Sequence, residues 1–95
     1  MWLLCCVALA QTVAPQARAL DAAAGDQDDL CVWVHPTDPK SSTVIGSDKQ
    51  TGKIFVYDTA GKTLHTLSDL GMPGNIDVRY GFPLGGKKVD LVAVN

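Results

Sequence analysis

The chain has 95 residues, a net charge of −2 and ten acidic residues, all of them aspartate, against eight lysines and arginines. A protein that binds nucleic acid through its electrostatic field needs an excess of basic residues, and this composition lacks one. The residues that favour long helices are also in short supply, which excludes a coiled coil. The length and composition are compatible with a small globular domain or with a piece of a larger one.

The N-terminal segment predicts a secretory signal peptide. An apolar run at residues 2–10 is followed by Ala-Arg-Ala at residues 17–19, the small-x-small pattern after which signal peptidase cleaves. Cleavage there would remove residues 1–19 and deliver the mature protein to an extracellular or periplasmic compartment. The apolar run is shorter than the roughly 20 residues that a bilayer span needs, so we expect no membrane association of the mature form. No Lys or Arg precedes the run, so a cytoplasmic protein with an apolar start is the alternative.

Loss of that segment would leave Cys31 as the one cysteine. A single thiol forms no internal disulfide, and we interpret Cys31 as a small buried hydrophobe. A nucleophilic role would require a neighbouring base, and His35 lies about 13 Å further along a strand that rises roughly 3.3 Å per residue. His35 and His65 have no third ligand nearby in the sequence, so a zinc site is not expected.

After a small, polar lead-in at residues 20–27, short apolar segments alternate with turns rich in Gly, Pro and Asp. This alternation predicts six strands and an all-β fold, and no segment has a helical period. The predicted strands are residues 30–35, 43–47, 53–58, 63–67, 75–80 and 88–95. The strand at 53–58 is apolar on both faces, and we interpret residues 81–87 as a loop. The apolar run at 88–95 has no turn after it, which favours the N-terminal piece of a longer protein.

Three aspartates, Asp26, Asp28 and Asp29, precede the first predicted strand within four positions. Like charges this close repel one another unless a cation, backbone N–H groups or water compensates them. The cluster therefore predicts either a metal site or a solvated acidic turn, since aspartate is common in turns. On the fifth predicted strand, we expect Arg79 to pair with Asp77 or Asp90.

Three segments carry a family resemblance: DDLCVWVHPTDP, GSDKQTGKIFVYDTAGKTLHTL and GNIDVRYGFPLGGKKVDLVAVN. In order and spacing they resemble the opening of the β-propeller phytases, which are secreted, alkaline, calcium-dependent 3-phytases. The resemblance runs from Asp28 to Asn95. It implies an N-terminal part of a propeller domain over residues 28–95. The full-length fold would be a six-bladed β-propeller, of which this chain holds roughly the first blade and part of the next.

The resemblance also implies site residues. Asp29 would be a calcium ligand, joined by the backbone carbonyls of Leu30 and Ile76, with Asp28 as a further acidic neighbour. The family usually has Pro-Ala where this chain has Leu30-Cys31, a change that keeps a carbonyl at the first position. Lys49 would bind substrate phosphate, for which a lysine is a suitable point cation. An ordinary exposed turn lysine is the alternative interpretation of Lys49.

The activity implied for the full-length protein is calcium-dependent hydrolysis of the phosphomonoesters of phytate, myo-inositol hexakisphosphate. No complete catalytic set is present, because the phosphate-clamping arginine of the family would follow Asn95, and the fragment alone is expected to be inactive. Expected partners are phytate or another phosphorylated small molecule, without nucleic acid or membrane, and the full-length protein is expected to be a monomer. The alternatives are a non-catalytic secreted propeller and a small calcium-binding β-domain.

Overall fold

The structure, a computed structural model, describes residue 14 and residues 24–95. Of the predicted signal peptide, residues 1–19, only residue 14 is described. Residues 20–23 of the predicted lead-in also lie outside the described residues. Six strands follow: β1 (Gln27–Trp33), β2 (Thr43–Asp48), β3 (Lys53–Tyr57), β4 (Thr63–Leu67), β5 (Ile76–Leu84) and β6 (Lys87–Val94). One short 3-10 turn, Pro39–Ser41, lies between β1 and β2. The described part of the chain thus confirms the all-β prediction, while a complete six-bladed propeller stays a prediction.

The strands form two antiparallel sheets. The first contains β1, β2, β3 and β4 side by side in chain order, and the second is the hairpin of β5 and β6. Short turns join β2 to β3, β3 to β4 and β5 to β6, and such turns bring antiparallel neighbours together without a crossover. Longer segments, residues 34–42 and 68–75, join β1 to β2 and the first sheet to the second. No helix in the described residues has the length and hydrophobicity required to cross a membrane.

The core lies between the two sheets. Strand β5 packs against β1 and β2. The buried residues of this cluster are Cys31, Ile45, Ile54 and Ile76, with Trp33, Val56 and Val78 packed against them. Cys31 is only 8% exposed, as expected of a small buried hydrophobe. On the other face of the first sheet, Phe55 and Tyr57 are buried and their rings stack 6.0 Å apart, so β3 is apolar on both faces as predicted.

Hydrogen bonds also connect the two sheets at the end of β1. The indole Nε1 of Trp33 donates to Asp90 Oδ2 at 2.8 Å, and the amide of Val34 donates to the Tyr80 hydroxyl at 3.0 Å. The amide of Gly81 donates to the second oxygen of Asp90 at 2.9 Å. Both oxygens of this carboxylate are therefore engaged by the β1 tryptophan and by the backbone of its own hairpin.

The predicted ion pair of Arg79 is wrong. Arg79 pairs with neither Asp77 nor Asp90. The Asp90 carboxylate is engaged as described above, and Asp77 Oδ1 instead accepts the amide of Val78 at 2.8 Å. Hydrogen bonds from N–H groups compensate both carboxylates, so neither needs the guanidinium.

Strand β1 begins three residues earlier than predicted. Gln27 pairs with Asp48 of β2, and the register then shifts before Leu30 pairs with Gly46. Asp28 and Asp29 therefore lie in a β-bulge inside the strand, not in a turn before it. A bulge leaves a residue unpaired and bends the strand, which redirects the side chains at this point.

The predicted loop at residues 81–87 is also wrong, because most of it extends the β5–β6 hairpin. Residues 82–84 pair with residues 87–89 across a two-residue turn at Gly85 and Gly86. Both turn glycines have positive φ, 58° and 78°, as a tight hairpin turn between twisted strands requires. Pro83 is tolerated because this hairpin has open edges, where a missing N–H breaks no ladder bond.

Truncation of the buried aromatic should test the core. Phe55 is fully buried, so we expect Phe55→Ala to lower the free energy of unfolding of the purified protein by about 3–5 kcal/mol. Phe82 is the matched control, because the same side chain is 38% exposed there and Phe82→Ala should cost clearly less. Denaturant titration of both variants measures the difference. Equal losses would contradict the assignment of Phe55 to the core.

Candidate functional site

The carboxylate of Asp48, at the end of β2, is fully buried and accepts four hydrogen bonds. Oδ2 accepts the amides of Gly25 and Asp26 at 2.7 and 3.0 Å. Oδ1 accepts the amide and the hydroxyl of Thr51 at 2.9 and 2.8 Å. The amide of Lys49 in turn donates to the carbonyl of Asp26 at 3.0 Å. Asp48 thus ties the segment before β1 to the turn that carries Lys49.

These contacts keep Asp48 charged although it is buried. Burial by itself raises the pKa of a carboxyl group, because it penalises the charged form. The hydrogen bonds from Thr51, Gly25 and Asp26 outweigh burial, and the pKa of Asp48 lies below its ordinary value. A buried charge is tolerated when donors surround it in this way.

Ser47 joins the first sheet to the loop before β5. Its side chain is fully buried, and its hydroxyl donates to the carbonyl of Gly74 at 2.5 Å. The same oxygen accepts the amide of Asp29 at 3.3 Å. One hydroxyl therefore fixes the β1 bulge against the loop that leads into the second sheet.

The Asp29 side chain also connects the two sheets. Oδ2 accepts the amide of Ile76 at 3.0 Å, and Oδ1 accepts the amide of Leu30 at 2.9 Å. Both bonds lower the pKa of Asp29, and the bond from Ile76 has the larger effect. Burial acts in the opposite direction but does not cancel them. In an extended strand the N–H and C=O of one residue point the same way, so the carbonyl of Ile76 faces the side on which Asp29 lies.

Asp28 and Lys49 form an ion pair. Lys49 Nζ lies 2.9 Å from Asp28 Oδ1, with side-chain exposures of 41% and 30%. The loop before β5 passes close to this pair, because a Cβ added at Gly74 would lie 3.9 Å from Asp28 Oδ2. The predicted calcium ligands and the predicted phosphate-binding lysine therefore lie together at one end of the two sheets. They are Asp28, Asp29, Leu30, Ile76 and Lys49.

The oxygen donors at this end match the chemistry that calcium requires. Calcium prefers about six to eight carboxylate, carbonyl and water oxygens, and Asp28 and Asp29 supply two carboxylates beside strand carbonyls. Within residues 24–95 no group of three or more His, Cys, Asp or Glu side chains is arranged to hold a metal ion. The described residues can therefore provide part of a calcium site, and further ligands would have to come from elsewhere.

Of the other residues considered from the sequence, His35 and Cys31 have structural roles. His35 Nδ1 accepts the amides of Thr37 and Asp38 at 3.3 and 3.0 Å, which shapes the turn after β1. His65 lies on β4 opposite Val56, away from that turn. The pKa of Cys31 is raised, first by burial and then by the charges of Asp77 and Asp29, so its reactive thiolate form is disfavoured.

Ser47 and Asp48 were not among the residues predicted from the sequence. Their burial depends on the packing of other strands, which a local pattern does not reveal. One local signal was present, since an Asp followed three residues later by Thr is typical of a turn closed by side-chain hydrogen bonds. Asp48 and Thr51 have this spacing in SDKQTG.

A family model and a curated relative both relate this chain to phytases. The model of the Phytase family matches residues 6–95. A curated 3-phytase of Bacillus subtilis (strain 168) is 43% identical to the chain over 81 residues. That alignment covers 85% of this chain and 20% of the relative, so the chain spans about a fifth of the relative's length.

Acid should reveal the contribution of Asp48 to stability. Its pKa is lower in the folded chain than the ordinary value of 3.8, so its stabilising effect is complete above that value and is lost as the pH falls through the folded pKa. We expect Asp48→Asn to lose about 2–3 kcal/mol at pH 7, the scale for leaving buried donors poorly matched. Its melting temperature should then depend less on pH below about 4 than that of the unmodified protein.

Asp26→Asn is the matched control, because it removes a neighbouring carboxylate that is exposed. Thermal melts between pH 2 and 7 compare the three proteins. If Asp48→Asn and Asp26→Asn behave alike at pH 7, the Asp48 carboxylate does not hold the lead-in as described.

Proposed function

The chain belongs to the phytase family, and on that premise we propose that it forms part of a calcium-dependent phytase that hydrolyses the phosphomonoesters of phytate. The family match and the identity to a named 3-phytase support this activity. Because the chain spans a fifth of that relative, the activity is proposed for the full-length protein. We propose the fragment itself to be inactive.

The same premise supports a fold and a location for the full-length protein. We propose a six-bladed propeller in which β1–β4 form a first blade and β5 and β6 begin the next. A four-stranded antiparallel meander followed by a hairpin that packs on it is the arrangement expected for successive blades. Secretion, through removal of residues 1–19, and a monomeric state are parts of the same proposal.

The observation that carries the proposal is that the four candidate calcium ligands and the candidate phosphate-binding lysine lie together at one end of the sheets. Asp29 contacts the amide of Ile76 of the second sheet, and Asp28 contacts Lys49 from the next turn of the first sheet. These residues are separated by up to 48 positions in the sequence. A family site assembled from several blades requires this kind of convergence, and an acidic turn used only for solubility does not.

In the proposed reaction Lys49 binds a phosphate oxygen of the substrate. Its side chain is 41% exposed, so the ammonium group can turn toward a ligand with little loss of burial. Asp29 and Asp28, with the carbonyls of Leu30 and Ile76, would hold calcium. When bound, calcium neutralises phosphate oxygens and lowers the pKa of a coordinated water. Asp48 and Ser47 keep these groups in place, since they fix the Lys49 turn and the Asp29 bulge.

Two substitutions should separate metal binding from phosphate binding in the full-length protein. Asp29→Ala should reduce the calcium-dependent rise in melting temperature, because a ligand that binds only the folded state stabilises it by mass action. Lys49→Ala should leave the melting temperature at saturating calcium nearly unchanged and lower phosphate release from phytate about 10- to 1,000-fold, the scale of losing one charge-stabilising donor.

Lys88→Ala is the control, because this lysine lies on the exposed hairpin away from the proposed ligands. A full calcium shift in Asp29→Ala would show that Asp29 does not bind calcium and that its role is limited to the hydrogen bonds with Ile76 and Leu30. Unchanged turnover of Lys49→Ala at limiting substrate would show that this lysine does not bind phosphate.

The isolated segment of residues 20–95 should release no phosphate from phytate. It supplies one lysine and two carboxylates of the proposed site, and the effects of groups that act as a unit in catalysis are strongly non-additive. The assay compares the purified segment, with and without calcium, with a mock preparation. Calcium-dependent release above the mock would contradict the proposal that further ligands are needed.

A further inference from the structure

We propose that Ser47 is a positioning residue of the proposed calcium site, and that its hydroxyl sets both the affinity for calcium and the preference for calcium over magnesium. The inference rests on the proposed function, because that function assigns the ion to Asp29 and to the carbonyl of Ile76. Ser47 is not itself available as a ligand, since its side chain is fully buried and its hydroxyl already has protein partners.

The proposed ligands lie on two separate sheets. Asp29 lies in the β1 bulge of the first sheet, and Ile76 begins β5 of the second. An ion that binds both groups requires the bulge and the start of β5 to keep a fixed separation, because calcium–oxygen distances lie between about 2.3 and 2.6 Å. A contact that fixes this separation therefore contributes to the affinity for the ion.

Asp29 and Ser47 both hydrogen-bond across the gap between the sheets. Asp29 Oδ2 accepts the amide of Ile76 at 3.0 Å, but this carboxylate is a proposed ligand, so the bond competes with the ion for its oxygens. Ser47 Oγ donates to the carbonyl of Gly74 at 2.5 Å and accepts the amide of Asp29 at 3.3 Å. No atom of this Ser47 bridge is a proposed ligand atom. The bridge therefore stays intact when the ion binds.

The loop before β5 carries the effect of the bridge to Ile76. The amide of Gly74 donates to the carbonyl of Asn95 at 2.8 Å, and the amide of Asn75 donates to the side-chain oxygen of Asn95 at 2.9 Å. These bonds attach the loop to the end of β6, which pairs with β5. The loop is thus fixed on both sides, by Asn95 to its own sheet and by Ser47 to the first sheet.

Magnesium depends less on the bridge than calcium does. Magnesium keeps several of its waters and binds proteins through one or two carboxylates, whereas calcium takes about six to eight oxygens, backbone carbonyls among them. Asp28 and Asp29 are adjacent in the β1 bulge, so either can bind a hydrated magnesium ion without the second sheet. Loss of the bridge should therefore weaken calcium binding more than magnesium binding.

Isothermal calorimetry on the full-length protein, with calcium alone and with magnesium alone, tests the proposal. Ser47→Ala should weaken calcium binding about 10- to 100-fold, the scale for losing a group that orients metal ligands. The affinity for magnesium should fall by less, so that the ratio of the two affinities falls as well. The binding step to compare is the one that Asp29→Ala removes.

Ser42→Ala is the matched control. Ser42 is also a buried serine, it directly precedes β2 at the end opposite Ser47, and its hydroxyl accepts the amide of His35 at 3.0 Å. Both variants should melt at a lower temperature in the presence of a chelator, because each leaves a buried backbone group without its partner. Only Ser47→Ala should lose affinity for calcium.

Three results would overturn the proposal. They are unchanged calcium affinity in Ser47→Ala, an equal loss of calcium affinity in Ser42→Ala, and an equal fall of calcium and magnesium affinity in Ser47→Ala. If Ser47→Ala does not fold, Ser47→Cys takes its place, because a thiol is similar in size and a weaker donor. Its calcium affinity should also fall, and unchanged calcium affinity in folded Ser47→Cys overturns the proposal equally.

The phytase proposal fails separately from this one. If the unmodified protein releases phosphate from phytate and Ser47→Ala keeps its calcium affinity, only the positioning role is overturned. If Ser47→Ala loses calcium affinity and the unmodified protein releases no phosphate, the positioning role is supported and the phytase activity is overturned. If Asp29→Ala removes no calcium-binding step, the calcium ligands are wrongly assigned and the positioning role fails with them.

Discussion

Two adjacent buried polar side chains, Ser47 and Asp48, hold together the segments on which this end of the molecule depends. Asp48 accepts amides from the segment before β1 and from its own turn, while Ser47 bridges the β1 bulge and the loop before β5. Buried polar groups cost free energy unless they are fully paired, so the fold is stable only when all these segments are in place together. The candidate ligands gain their positions from this requirement.

The strands that the sequence predicted best are those whose limits are set locally. Strands β2, β3 and β4 agree with the prediction to within one residue, because Gly52 and the TAGK turn mark their ends. Gly52 is required there, since its φ is +63° and a Cβ would come within 2.7 Å of the Gly71 carbonyl. The errors lie where a bulge intervenes. Gly81, with φ of 64°, marks a register shift within a continuing strand, whereas a glycine at this position in the sequence predicts the start of a loop.

The site shows the same division. Asp28, Asp29 and Lys49 were identifiable because charged residues at strand ends and turns stand out in a sequence, and the family resemblance gave them roles. The buried carboxylate of Asp48 was not identifiable, although it lies next to Lys49. Its spacing to Thr51 indicates a turn but not burial, and the donors to its other oxygen come from residues 25 and 26, more than 20 positions earlier. Burial of a polar side chain is a property of the assembled sheets.

The crowding of aspartates beside the core is compatible with stability because Asp26 is exposed to solvent and the carboxylates of Asp28, Asp29 and the nearby Asp48 each have a different partner. Asp48 is compensated by N–H groups inside the protein, Asp29 by the amides of Leu30 and Ile76, and Asp28 by the ammonium group of Lys49. Hydrogen bonds from a rigid backbone are costly to break, whereas an exposed ion pair is worth little and opens readily. Of these three carboxylates, Asp28 is therefore the one whose partner is lost most easily, because its lysine can leave by side-chain rotation while the backbone stays in place.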